Sequence, residues 1–167
     1  AVGEVGLDFY WSREFEKEQL EAFEEQVKWS VETRLPLMIH CRKAQNEMVK
    51  ILRKYQDQLP GGVFHCFTGN EKEAAELMTF NNFVLGIGGV LTFKKANLPE
   101  TLKSVPLQRI VLETDSPYMA PVPLRGKRNE SSFLVHVAAK LAEVYGTTED
   151  EIATQTNKNV ERIFGFC

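Results

Sequence analysis

Two hydrophobic periods alternate along the whole chain, and this alternation constrains the fold more than any other feature. Short apolar runs at residues 1–9, 35–41, 61–67, 82–91 and 109–115 have the length and composition of buried strands. Helical spacing fills the gaps between them. In 14–33, Phe15, Leu20, Phe23, Val27 and Val31 recur every three to five residues, and in 43–55, Met48, Ile51, Leu52 and Tyr55 fall on one side. Shorter helices are predicted over 70–80 and 99–105. Two closing helices are predicted over 131–146 and 148–165, the second opened by Thr148 with Glu151 three residues on, a capping box. Strand–helix alternation of this kind specifies a parallel sheet with helical crossovers, its strands apolar because both faces are covered. Two architectures satisfy it: a doubly wound open sheet, or an arc of a (β/α)8 barrel, which takes roughly 250 residues when complete.

The 167 residues, without linker or low-complexity tract, read as one domain over 1–167, and the 43% hydrophobic content is enough for a core. No run of eighteen apolar residues occurs, so no membrane-spanning helix is expected. A net charge of −3 does not favour a protein that binds nucleic acid through a basic surface overall. It is compatible with an enzyme that meets phosphates through bound cations and a local basic loop. Cys41, Cys66 and Cys167 form an odd set without framework spacing, which points to a reducing compartment, the cytoplasm. The start at Ala1, with neither Met nor a basic leader, reads as a segment beginning inside a longer protein.

The chemistry-bearing residues collect at strand ends. Glu4 lies in the first strand, His40 ends the second, His65 the third, and Asp115 the strand at 109–115. The C-terminal edge of a parallel α/β sheet is where sites are built, so the four are expected to converge at one mouth. A Glu, two His and an Asp suit Zn²⁺ or Mn²⁺, and the carboxylates also suit Mg²⁺. Cys41 and Cys66 each follow a histidine. Adjacent strand side chains face opposite ways, so both thiols are expected in packing rather than on a metal. His136 sits within a helical run and is read as packed or solvated. Arg42 follows the second strand, and "RGKR" at 125–128, with Asn129 after it, is a local basic loop suited to phosphate contacts. Tyr10 or Trp11, beside Asp8 at the mouth, could stack on a base.

The stretches "GEVGLDFY", "IHCR", "FHCFTG", G-x-G-G at 86–89, "LETDSPYMAPVPLRGKRNE" and the closing "NVERIFG" occur in this order. Together they resemble the TatD family of metal-dependent deoxyribonucleases over nearly the whole chain. The resemblance implies a TIM barrel of the metal-dependent hydrolase type, divalent metal as cofactor (two ions in the complete protein, Mg, Mn or Zn), DNA as substrate and phosphodiester hydrolysis as the reaction. Carried over by position, Glu4 matches a carboxylate able to bridge two metals. His40 and His65 match two histidine ligands, and Asp115 matches an aspartate that binds metal and takes a proton from the attacking water. Glu4 and Asp115 are therefore the expected catalytic residues, and Arg42, Arg125, Lys127, Arg128 and Asn129 the expected substrate contacts. The family's opening His-x-His is absent, so the chain resembles the C-terminal two-thirds of such a protein, an incomplete barrel. Two other readings stay open: an amidohydrolase-type enzyme acting on a lactone, amide or aminoacyl ester, and a truncated chain without activity of its own.

Overall fold

The computed structural model describes residues 1–165; Cys167 lies outside them. Five strands, β1 (Val2–Asp8), β2 (Leu37–Arg42), β3 (Gly62–Phe64), β4 (Phe83–Ile87) and β5 (Ile110–Leu112), alternate with helices α1 (Glu16–Thr33), α2 (Gln45–Lys54), α3 (Glu71–Leu77) and α4 (Leu98–Leu102). Helices α5 (Leu134–Tyr145) and α6 (Glu149–Phe164) close the described chain. All neighbouring strands pair in parallel and lie in the order β1-β2-β3-β4-β5. This order decides between the two architectures. A doubly wound sheet reverses its strand order at a switch point, and here no reversal occurs, so the sheet is an arc of a (β/α)8 barrel.

The sheet has an apolar layer on each face. Leu37, Ile39, Phe64, Phe83, Leu85 and Ile110 pack with Phe23, Val27, Met48 and Leu52 of the helices in the larger cluster. Val63, Val84 and Val111, with Met38, form a smaller layer on the opposite face, against Val160, Ile163 and Phe164 of α6. Side chains alternate along a strand. His40 therefore follows Met38 on this inner face, His65 follows Val63, and Glu113 follows Val111.

The helices fall within a few residues of their expected spans, and the capping box of Thr148 and Glu151 is present. The strands are shorter than expected. The third ends at Phe64, because Cys66 turns left-handed (φ 48°) and its N–H leaves the ladder for the Glu113 carboxylate. The run at 82–91 leaves the sheet after Ile87 and forms a 3-10 turn over Gly89–Thr92. The fifth strand ends at Leu112, so Glu113 and Asp115 lie just beyond it. Among the described residues no helix is long and apolar enough to cross a membrane.

Candidate metal centre

The centre is built where β1 meets β2. Gly6 pairs directly with His40, and Glu4 and Asp8 lie two residues to either side of Gly6 on the same strand face. The imidazole of His40 lies between these two carboxylates. Its Nδ1 is 3.3 Å from Glu4 Oε1, and its Nε2 is 3.1 Å from Asp8 Oδ2. Only glycine fits opposite: Gly6 has φ 142°, and a Cβ there would come within 1.9 Å of the His40 carbonyl oxygen. Asp8 is itself held, its Oδ1 accepting from the Tyr10 N–H at 2.9 Å and its backbone N–H donating to Gln19 Oε1 at 2.9 Å.

His65 repeats the arrangement from β3. Its Nδ1 bonds the Glu113 carboxylate, and its Nε2 is 3.9 Å from the same Glu4 oxygen that faces His40. The other Glu113 oxygen accepts from the Cys66 N–H. Gly86 leaves room for this carboxylate, since a Cβ there would come within 2.4 Å of Glu113 Oε1. Each histidine thus gives one nitrogen to a carboxylate and turns the other toward Glu4. A carboxylate on the outward nitrogen is the arrangement that fixes ring orientation and tautomer in metal-ligating histidines. One donor atom each from Glu4, His40 and His65 fall within 4.8 Å of one another.

Asp115 Oδ1 lies 3.7 Å from His65 Nε2, at the rim of this trio and outside the three-residue group. The Glu113 hydrogen bond raises the pKa of His65, and partial burial opposes it. Burial raises the pKa of Asp115; the nearby His65 opposes that shift, while Glu113 and Glu4 add to it. Glu4, Asp8, Glu113 and Asp115 surround only two imidazoles, so the cluster holds an excess of negative charge that a divalent cation would neutralise. The donor set of two imidazoles and a carboxylate fits Zn²⁺ or Mn²⁺ better than Mg²⁺, which prefers oxygen ligands.

Several expected residues lie elsewhere or act differently. Arg42 stands over the Tyr10 ring at 3.5 Å, beside the mouth. Arg125 lies over Phe93 at 3.7 Å, and Lys127 and Arg128 are exposed on the same loop. Asn129, expected at the substrate, is buried, and its side-chain amide donates to the carbonyls of Thr114 and Tyr118, both at 2.7 Å. It shapes the loop that carries Asp115 rather than facing solvent. Cys41 packs against the larger apolar cluster. Burial pushes its thiol up to about 11 and that of Cys66 to about 12. His136 sits in α5 near Phe133, away from the centre. Glu113 and Asp8 are the residues missed as clamps. Alternation back from Asp115 puts Glu113 on the same face, and alternation from Glu4 does the same for Asp8, so both signals were present.

A family model described as "TatD related DNase" matches residues 1–165. The chain belongs to the TatD-related DNase family. Among its relatives, an uncharacterized metal-dependent hydrolase, YabD of Bacillus subtilis, is 42% identical over 165 residues, covering 98% of this chain and 64% of that protein. A protein of Klebsiella pneumoniae named 3'-5' ssDNA/RNA exonuclease TatD is 35% identical over 172 residues, covering 99% of this chain and 65% of that protein. The crystal structure of the TatD homologue YJJV from Escherichia coli superposes with a TM-score of 0.92 at 28% identity, covering 100% of this chain and 64% of that one. The chain therefore spans just under two-thirds of the length of these TatD-family proteins.

Proposed function

We propose that the protein is a metal-dependent phosphodiesterase acting on DNA, with Glu4, His40 and His65 as the ligands of a divalent cation. The observation that carries this reading is the double clamp. Two histidines on different strands each have one nitrogen held by a carboxylate, His40 by Asp8 at 3.1 Å and His65 by Glu113, and both turn the other toward one Glu4 oxygen. A bound divalent ion would polarise a phosphoryl oxygen and lower the pKa of water at the site. Asp8 and Glu113 keep the imidazoles in the tautomers that leave His40 Nδ1 and His65 Nε2 free to ligate. Asp115, with a carboxylate oxygen 3.7 Å from His65 Nε2, is placed to accept a proton from the attacking water as general base. Arg42, Lys127 and Arg128 offer charge to phosphates beyond the scissile one. The cytoplasm is the proposed location, from the unpaired thiols.

The test is hydrolysis of a labelled DNA oligonucleotide with Mn²⁺, Zn²⁺ or Mg²⁺ and with chelator, alongside a lactone and a cyclic amide. Cleavage of the oligonucleotide alone, dependent on metal and lost in Glu4→Gln and Asp115→Asn, is the expected result. Turnover of the lactone or amide in place of DNA, or wild-type rates in both variants, would overturn the assignment.

A further inference from the structure

Beside the metal centre, on the β2–β3 side, the loops after β1, β2 and β3 enclose a groove of about 890 Å³. His65 and Cys66 are among its lining residues, so it adjoins the centre at His65. Its volume lies near the top of the range for small-molecule sites, and it is partly open to solvent. Acids and bases on its walls differ in how they are engaged. Glu47 is paired with Arg13 at 2.8 Å, Glu73 accepts from the Asn70 N–H at 2.7 Å, and Glu76 accepts from Gln45 at 3.0 Å. Lys43 and Lys72 are exposed, and neither ammonium has a carboxylate within ion-pair distance among the described residues. Arg42 likewise has no carboxylate partner there; its guanidinium lies over the Tyr10 ring at 3.5 Å. The groove therefore offers three cations without a carboxylate partner and an exposed aromatic side chain, next to the candidate ligand His65. Uncommitted cations beside an aromatic platform suit a strand of nucleic acid, which presents a phosphate and a base at each step.

We propose that this groove carries the nucleic-acid strand to the metal centre, with Lys43, Lys72 and Arg42 contacting phosphates beyond the scissile one and Tyr10 beside them meeting a base. The proposal rests on the phosphodiesterase reading above. It names a path on the β2–β3 side, distinct from the basic loop at 125–128 that the sequence suggested.

Binding of a fluorescein-labelled single-stranded DNA oligonucleotide, measured by anisotropy in chelator over a range of salt, tests it. Wild type is compared with Lys43→Gln/Lys72→Gln, with Lys43→Arg/Lys72→Arg, and with Lys140→Gln/Lys158→Gln, which removes two charges on α5 and α6. Thermal melting of each variant checks folding, and metal-dependent oligonucleotide cleavage by the wild type is followed in parallel. Each phosphate contact adds about 0.7 to the slope of log affinity on log salt for single strands. The Gln pair in the groove is expected to flatten the slope by roughly 1.4. The Arg pair and the control on α5 and α6 should leave it near wild type. An unchanged slope in the groove pair, with the wild type binding and cleaving, would remove the groove and leave the function intact. A flattened slope without cleavage would keep the groove and remove the hydrolytic reading. A wild type that binds no oligonucleotide would remove both.

Discussion

Each histidine of the centre gives one ring nitrogen to a carboxylate and turns the other to Glu4, so the carboxylate orients the ring that would ligate a metal. Glu113→Ala should lower affinity for Zn²⁺ or Mn²⁺ by about 10- to 100-fold, measured by competition with a chelating dye. An affinity within a factor of two of wild type would remove Glu113 from the clamp. The same bond sets a pH dependence. Glu113 raises the folded-state pKa of His65 above the unfolded value of about 6.5. Its contribution to metal-free stability is then complete below about pH 6.5 and lost as pH rises through the folded value. Metal needs the unprotonated ring, so metal affinity should rise over the same window. Melting temperatures in chelator and binding titrations from pH 6 upward should run in opposite directions; parallel trends would contradict the clamp. The histidines and Asp115 were legible from their places at strand ends. Glu113 and Asp8 were legible as residue types, but spacing alone cannot say which imidazole nitrogen a carboxylate meets. Asn129 sits in a polar, charged stretch and looked like a phosphate contact; its burial comes from two carbonyls fifteen and eleven residues earlier.

Strands and helices were legible as a series because the apolar runs of parallel strands differ so clearly from helical spacing. Their ends were less legible. His65 stands one residue beyond β3 because the ladder stops where Cys66 turns left-handed, and Glu113 and Asp115 stand beyond β5 for the same kind of reason, since pairing stops where side chains begin to serve the site. The strand order, which decides between barrel and doubly wound sheet, depends on pairing that no single strand carries. Gly86 ties an element to the chemistry. Gly86→Ala would put a methyl group where the Glu113 carboxylate now lies, and the flexible end of Glu113 can yield without backbone movement. The variant should keep its melting temperature in chelator within a few degrees while losing metal affinity like Glu113→Ala. A collapsed fold with intact affinity would show that Gly86 serves packing instead.

Over the whole molecule a net charge of −3 hides a strong local arrangement. Four carboxylates crowd one mouth, while the uncommitted cations lie in the groove beside it and on the loop at 125–128. A cation at the mouth would relieve this repulsion, and a ligand at a hundred times its dissociation constant stabilises a fold by about 2.7 kcal/mol. The central claim, that Glu4, His40 and His65 form one metal site, is tested most directly by counting metal. Equilibrium dialysis against Mn²⁺ or Zn²⁺ should give at least one tightly held ion per chain in the wild type, and that ion should be lost in His40→Ala and in His65→Ala. A folded wild type with no tightly held ion, or one that both variants retain, would contradict the account.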